Sequence, residues 1–111
     1  MSAIRRSVPI PVNAYLAPGQ TLCVKLDFFE HCVSKSLHIP GSYAEYLLLV
    51  SAKYENFERT GPIGCSVFSG LSEIDPFQAR TFFPGQPAFL TFENRAAMYI
   101  HLYGSLVVEV D

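Results

Sequence analysis

Tryptophan is missing from this chain altogether, and charge is scarce: Lys, Arg, Asp and Glu supply 16% of its 111 residues, against about 25% in an average soluble domain. The net charge is −2, and the single basic pair, Arg5-Arg6, is too short to grip a polyanion. Neither nucleic acid nor an anionic membrane is therefore expected as a partner. Three cysteines are an odd number, which excludes a closed disulfide framework. No apolar run approaches the ~18 residues needed to cross a bilayer. After Arg5-Arg6 the chain runs Ser7-Val8-Pro9-Ile10-Pro11 in place of a continuous apolar segment, so no secretory signal is read. With Met1 at its start, the chain is expected to be made in a reducing cytoplasm without a signal peptide, with a virion as a further destination.

Catalytic signatures are lacking too. There is no Gly-x-Ser-x-Gly elbow, no Gly-rich phosphate loop and no dinucleotide fingerprint. The carboxylates, from Asp27 and Glu30 to Glu109 and Asp111, are scattered next to turns or on solvent faces, and nothing pairs two of them across a cleft. The expectation is a protein that is not an enzyme and carries no cofactor.

What is present is apolar and aromatic. Hydrophobic residues reach 50%, with nine Phe and six Tyr, a composition that excludes disorder. One domain spanning 1–111 is expected, with 1–6 as an extended N-terminal arm. The longest pattern runs from Phe82 to Val110. From Met98 onward, alternate residues fall on opposite faces of an extended chain. Met98, Ile100 and Leu102 share one face, and Tyr99, His101 and Tyr103 the other. Beyond Gly104, where a bulge or a close backbone approach is expected, Leu106, Val108 and Val110 oppose Val107, Glu109 and Asp111.

Further strands follow from turn signals. Ser7 to Leu16 reads as an edge strand, because Pro9 and Pro11 cannot donate to a ladder. Pro18-Gly19 suits a type II turn. Next, Leu22, Val24, Leu26 and Phe28 alternate with Cys23, Lys25 and Asp27. Val33 to Ile39 is a strand stopped by Pro40-Gly41. Ala44 to Tyr54 lacks alternation across Tyr46 to Val50 and reads as a strand covered on both faces, with a short helix as the alternative. Gly61-Pro62 and Gly64 read as turn residues before a Cys65–Phe68 strand, and Gly70 to Phe77 as a loop. Gln78–Phe83 is predicted to pair through Pro84-Gly85 with Phe89–Phe92, and Glu93-Asn94-Arg95 to make the last turn. About seven to nine short strands without a convincing helix give an all-β, single-domain antiparallel β-sandwich, jelly-roll-like.

For chemistry, Cys23, His31, Cys32 and His38, with Cys65 in reserve, carry zinc-type ligands. No Cys-x2-Cys or His-x3-His scaffold joins them, so ordinary buried thiols are expected and no metal. His31 cannot serve Cys32, since strand neighbours face opposite ways; Cys23 or Cys65 with His101 stays open. Tyr99, His101 and Tyr103, with Tyr46 and Leu48, form a candidate interface or ligand patch. Exposed, these rings suit a protein interface or sugar stacking; covered by a second sheet they are polar-tipped core, and the covered position is the expectation. With 18 charged residues, the domain has more apolar surface than it can hide alone, which points to a covering neighbour. The functional expectation is a self-associating structural or binding module, a homo-oligomer or a partner of other structural proteins. Its most concrete form is a small virion component: a capsid decoration, a spike or a tail-associated protein. A carbohydrate-binding lectin using Tyr99, Tyr103, Phe57 or Phe77 is the alternative, and a small Cys/His metal protein or enzyme the third.

Overall fold

Alternation decides which side chains meet in the interior. In the computed structural model, which describes residues 6–70 and 73–110, the apolar members of each alternating pair turn inward and two sheets close over them. The strands are β1 (Arg6–Leu16), β2 (Thr21–Leu26), β3 (Cys32–His38), β4 (Leu47–Tyr54), β5 (Phe57–Gly64), β6 (Thr81–Phe82), β7 (Ala88–Asn94) and β8 (Ile100–Val110). They form two four-stranded sheets, β1-β8-β3-β6 and β2-β7-β4-β5. Every paired neighbour is antiparallel. The molecule is a small all-β sandwich. The proposed arm falls on residues 1–5, outside the described residues, apart from Arg6, which opens β1.

β8 lies inside the first sheet, paired with β1 on one side and β3 on the other. Its buried residues are Ile100, Leu102, Leu106, Val108 and Val110, one alternating face of the strand; Met98, which the alternation places on the same face, is 48% exposed in the turn before it. Gly104 occupies the inward position between Leu102 and Leu106. A Cβ there would collide with the His38 carbonyl oxygen and crowd the Ile39 Cα, so glycine is required by a close backbone approach. The bulges lie elsewhere: pairing of β3 with β8 slips between Ser34 and Ser36, and that of β4 with its two neighbours between Leu49 and Ser51.

Aromatic rings fill one end of the core. Phe82 stacks on Phe28 at 4.2 Å between centroids and meets Tyr54 at 4.8 Å and Phe77 at 5.1 Å edge-on. β6 is only two residues long, yet it is fixed because Phe82 is the hub of this cluster. The Phe83 N–H donates to the Tyr54 hydroxyl at 2.8 Å, which pins the chain as it leaves β6. At the other end a single polar side chain organises the turns. Asn94 is fully buried; its amide nitrogen donates to the carbonyls of Met98 at 2.8 Å, Ala17 at 3.1 Å and Leu16 at 3.2 Å, and its oxygen accepts from the Ala96 N–H at 2.9 Å. The β1–β2 and β7–β8 turns are thereby tied together.

Four expectations need correction. Phe57–Gly64 is a strand, β5, at the edge of the second sheet, where Pro62 lacks no ladder partner it would need; Gly61-Pro62 ends nothing. Cys65–Phe68 is a 3-10 turn in place of a strand. β6 pairs with β3, in the sheet opposite β7: the Gly85 N–H reaches the Phe28 carbonyl at 3.4 Å, so Pro84-Gly85 crosses between layers and closes no hairpin. Ala44 to Tyr46 belongs to a 3-10 turn, Ser42–Tyr46, and the strand starts at Leu47. Its inward residues alternate after all, with Leu47 and Leu49 buried and Leu48 and Val50 partly exposed. Among the described residues no helix is long and apolar enough to cross a membrane.

Two substitutions test this account of the core. Phe82→Ala should lower the free energy of unfolding by about 3–5 kcal/mol, and Gly104→Ala by about 1–3 kcal/mol through forced backbone displacement. Gly64→Ala, whose nearest neighbour would be the Ser66 Oγ at 3.9 Å, should change little. Urea denaturation of the three variants measures the contrast.

Candidate functional site

The inward set of β8 forces His101, Tyr103, Ser105 and Val107 onto the outer face of the first sheet. Directly opposite them on β1 stand Tyr15, Asn13, Pro11 and Pro9. No Asp, Glu, Lys or Arg interrupts this paired surface until Glu109, which meets Lys35 at 3.4 Å beyond its far end. The outer face of the second sheet is different. There Lys25, Phe89, Lys53 and Glu58 form one cross-strand row, and Thr21, Glu93 and Leu48 another. One layer is solvated with mixed charge, whereas the other presents rings, prolines and neutral polar groups.

The neutral face is ordered by its own contacts. The Tyr15 and His101 rings are stacked, 4.2 Å apart and 11° from parallel. His101 and Tyr103 lie 5.6 Å apart. The His101 Nε2 is 2.7 Å from the Asn13 Oδ1, so that nitrogen carries the proton and donates to the amide oxygen. Such pairing holds the rings upright without covering them: Tyr15 is 69% exposed and Tyr103 56%. Beside Tyr103 a groove of about 280 Å3 runs between His38, Pro40, Phe68 and Ser105. A smaller recess brings Tyr43 against His101 and Tyr103.

The expected covered position of Tyr99, His101 and Tyr103 is therefore corrected. No second layer lies over them, because the second sheet packs on the opposite side of β8. Tyr99, 75% exposed, stands in the β7–β8 turn, just before β8 begins at Ile100. Tyr46 is exposed in the 3-10 turn, with its carbonyl accepting from the Arg95 N–H at 2.9 Å. Leu48 does not join the patch: it is opposite Glu93 on the outer face of the second sheet. Sequence reasoning missed Tyr15, Asn13 and Tyr43. The alternation of β1 places Tyr15 opposite its buried neighbour Leu16, but only the register shows that it meets His101.

The cysteines and histidines are dispersed. Cys23 is exposed on β2, on the second sheet's outer face beside Thr91, so it cannot meet His101 on the far side of the sandwich. Cys32 and Cys65 are buried. Burial, with help from the nearby Glu30 charge, pushes the Cys32 thiol up to about 11; burial pushes Cys65 to about 12. His38 is hydrogen-bonded to Ser36 at 2.9 Å and His31 packs edge-on against Phe83 at 5.1 Å. Among the described residues no group of three His, Cys, Asp or Glu side chains is placed to hold a metal ion. Phe77, a candidate sugar-stacking ring, is fully buried in the aromatic core.

These thiols make a sharp prediction. Nucleophilic attack needs thiolate, so native protein treated with iodoacetamide at about pH 8 should gain one adduct, on Cys23. Cys32 and Cys65 should react only after denaturation, with intact and peptide mass spectrometry as the readout.

No family model, curated protein or solved structure matches this chain.

Proposed function

We propose that this protein is a non-enzymatic module that associates with further copies of itself through the outer face of β1 and β8. The observation that carries this reading is the contrast between the two outer faces. A surface of Pro9, Pro11, Tyr15, Tyr103 and Val107 without charged side chains can be laid on a second copy without stranding an ion away from water. Its Tyr hydroxyls, Asn13, His101 and Ser105 provide donors and acceptors to both sides of such a contact. Tyrosine is also the ring that interfaces favour, since it buries a large area with few rotors. Face-to-face contact is favoured over strand addition, because Pro9 and Pro11 remove donors from the free edge of β1.

The strand order β1-β8-β3-β6 over β2-β7-β4-β5 supports a jelly-roll reading, an architecture found in viral capsid and lectin domains. On that analogy the most concrete role is a small virion component, a capsid decoration, spike or tail-associated protein, built as a symmetric homo-oligomer. Burial raises the pKa of both Cys32 and Cys65, which supports a reading in which neither buried thiol is a nucleophile.

Sedimentation velocity and light scattering over a dilution series test the proposal. The wild-type chain should form a defined oligomer, and Tyr103→Glu or Tyr15→Glu should weaken association by at least about tenfold. Lys53→Glu, on the other outer face, should leave it unchanged. Circular dichroism confirms that the variants fold. A wild-type chain that stays monomeric at about 100 μM, or a Lys53→Glu variant that dissociates like the tyrosine variants, defeats this reading.

A further inference from the structure

At the end of the sandwich away from Asn94, the β4–β5 turn and the segment entering β6 enclose an open pocket of about 420 Å3. Glu55, Asn56, Phe57, Gln78, Arg80, Thr81 and Phe83 are among the residues that line it. Three of its residues, Glu55, Gln78 and Ala79, hold left-handed backbone with φ of 50°, 55° and 57°, a conformation that non-glycine residues avoid unless their surroundings impose it. Asp75 imposes it on the second segment. Its carboxylate accepts from the Ser34 hydroxyl at 2.8 Å, the Phe77 N–H at 2.9 Å and the Ala79 N–H at 2.6 Å. Ser34, fully buried, also accepts from the Arg80 N–H at 2.9 Å, and its own N–H donates to the Arg80 carbonyl at 2.9 Å.

The Arg80 backbone is therefore clamped on both sides, and its side chain leaves the loop in a set direction. The guanidinium lies over the Phe57 ring, 4.2 Å from the centroid. Among the described residues no carboxylate forms an ion pair with it. A guanidinium stacked by one face keeps its N–H edges free for two parallel hydrogen bonds, the geometry that carboxylates match. Phe83, 49% exposed, offers an apolar ring to the same pocket, while Asn56, Gln78 and Thr81 offer neutral hydrogen-bonding groups.

We propose that this pocket binds a carboxylated sugar of the uronic acid class. The carboxylate pairs with Arg80, the apolar face of the sugar ring lies on Phe83, and the ring hydroxyls meet Gln78, Asn56 and Thr81. Glu55, also in the lining, accepts from a hydroxyl and repels a multiply charged anion more strongly than a monoanion, which sets the ligand apart from a phosphate ester. The site shares no residue with the β1–β8 face, so it stands or falls apart from self-association.

Titration of the full chain with sodium D-glucuronate, followed by calorimetry and by backbone amide NMR, tests the assignment. Saturable binding is expected, with shifts concentrated in residues 54–57 and 78–83. Arg80→Gln and Arg80→Lys should weaken it by at least about tenfold, and Arg59→Gln should not. D-glucose, sodium acetate and sodium phosphate should each bind more weakly than glucuronate by a similar factor. Acetate or phosphate binding as tightly as glucuronate overturns the sugar assignment. Unmoved amides, or an Arg80→Gln variant that binds as well as wild type, overturn the site itself and leave Arg80 as a side chain shielding Phe57 from water.

Discussion

The two-residue period of β8 is the constraint from which the rest of the structure follows. A strand with neighbours on both edges has no freedom to rotate about its axis, and a slip of one residue would exchange its faces completely. Burying Ile100, Leu102, Leu106, Val108 and Val110 therefore fixes His101, Tyr103, Ser105 and Val107 outward. Gly104 is consistent with the same register: it falls on the inward side, where the His38 carbonyl approaches too closely for any Cβ. β1 is then read against β8, and Tyr15 arrives opposite His101 as a consequence.

The two ends of the sandwich are closed by different physics. At the Asn94 end, one buried amide satisfies the carbonyls of two turns. Losing it would remove a donor from each of them, and a buried carbonyl left unsatisfied costs about 1–3 kcal/mol; the Ala17 carbonyl would keep the Gln20 N–H at 3.0 Å. At the other end, the core is held by ring packing around Phe82 and by Asp75, which gathers a hydroxyl and two backbone N–H groups. Left-handed Gln78 and Ala79 lie in that braced segment. A hydrogen-bonded loop thus adjoins the aromatic cluster around Phe82, and Arg80 emerges where the two meet.

Sheet composition was legible in the sequence wherever alternation was unbroken. β8, β2 and the proline-marked edge strand β1 each show their two alternating faces directly, and Pro18-Gly19 its turn, with Gly19 at φ 74°. Two features escaped that logic. β5 carries Gly61 and Pro62, which read as a turn, because sequence does not reveal that a strand is an edge where proline is tolerated. β6 is two residues long, and its position is set by the packing of Phe82 against nearby Phe77 and against Phe28 and Tyr54, which are remote in sequence. The candidate patch was half legible: the rings of Tyr99, His101 and Tyr103 could be identified, but their exposure depends on which side of β8 the second sheet packs.

That last dependence gives the apolar composition its meaning. Few charges in a small domain are compatible with an evenly polar exterior if they are spread evenly, each covering some neighbouring apolar surface with its stem. Here they are not spread evenly. Lys25, Lys53, Glu58 and Glu93 sit on the outer face of the second sheet, and the paired surface of β1 and β8 receives none between Pro9 and Tyr15. Segregation of this kind costs solubility for an isolated chain and benefits a chain whose neutral face is covered. The tyrosine hydroxyls and the His101–Asn13 pair give that face polar groups that water can reach. Proline on the free edge disfavours strand addition there, so any contact made by this side of the molecule is better placed on its face than on its edge.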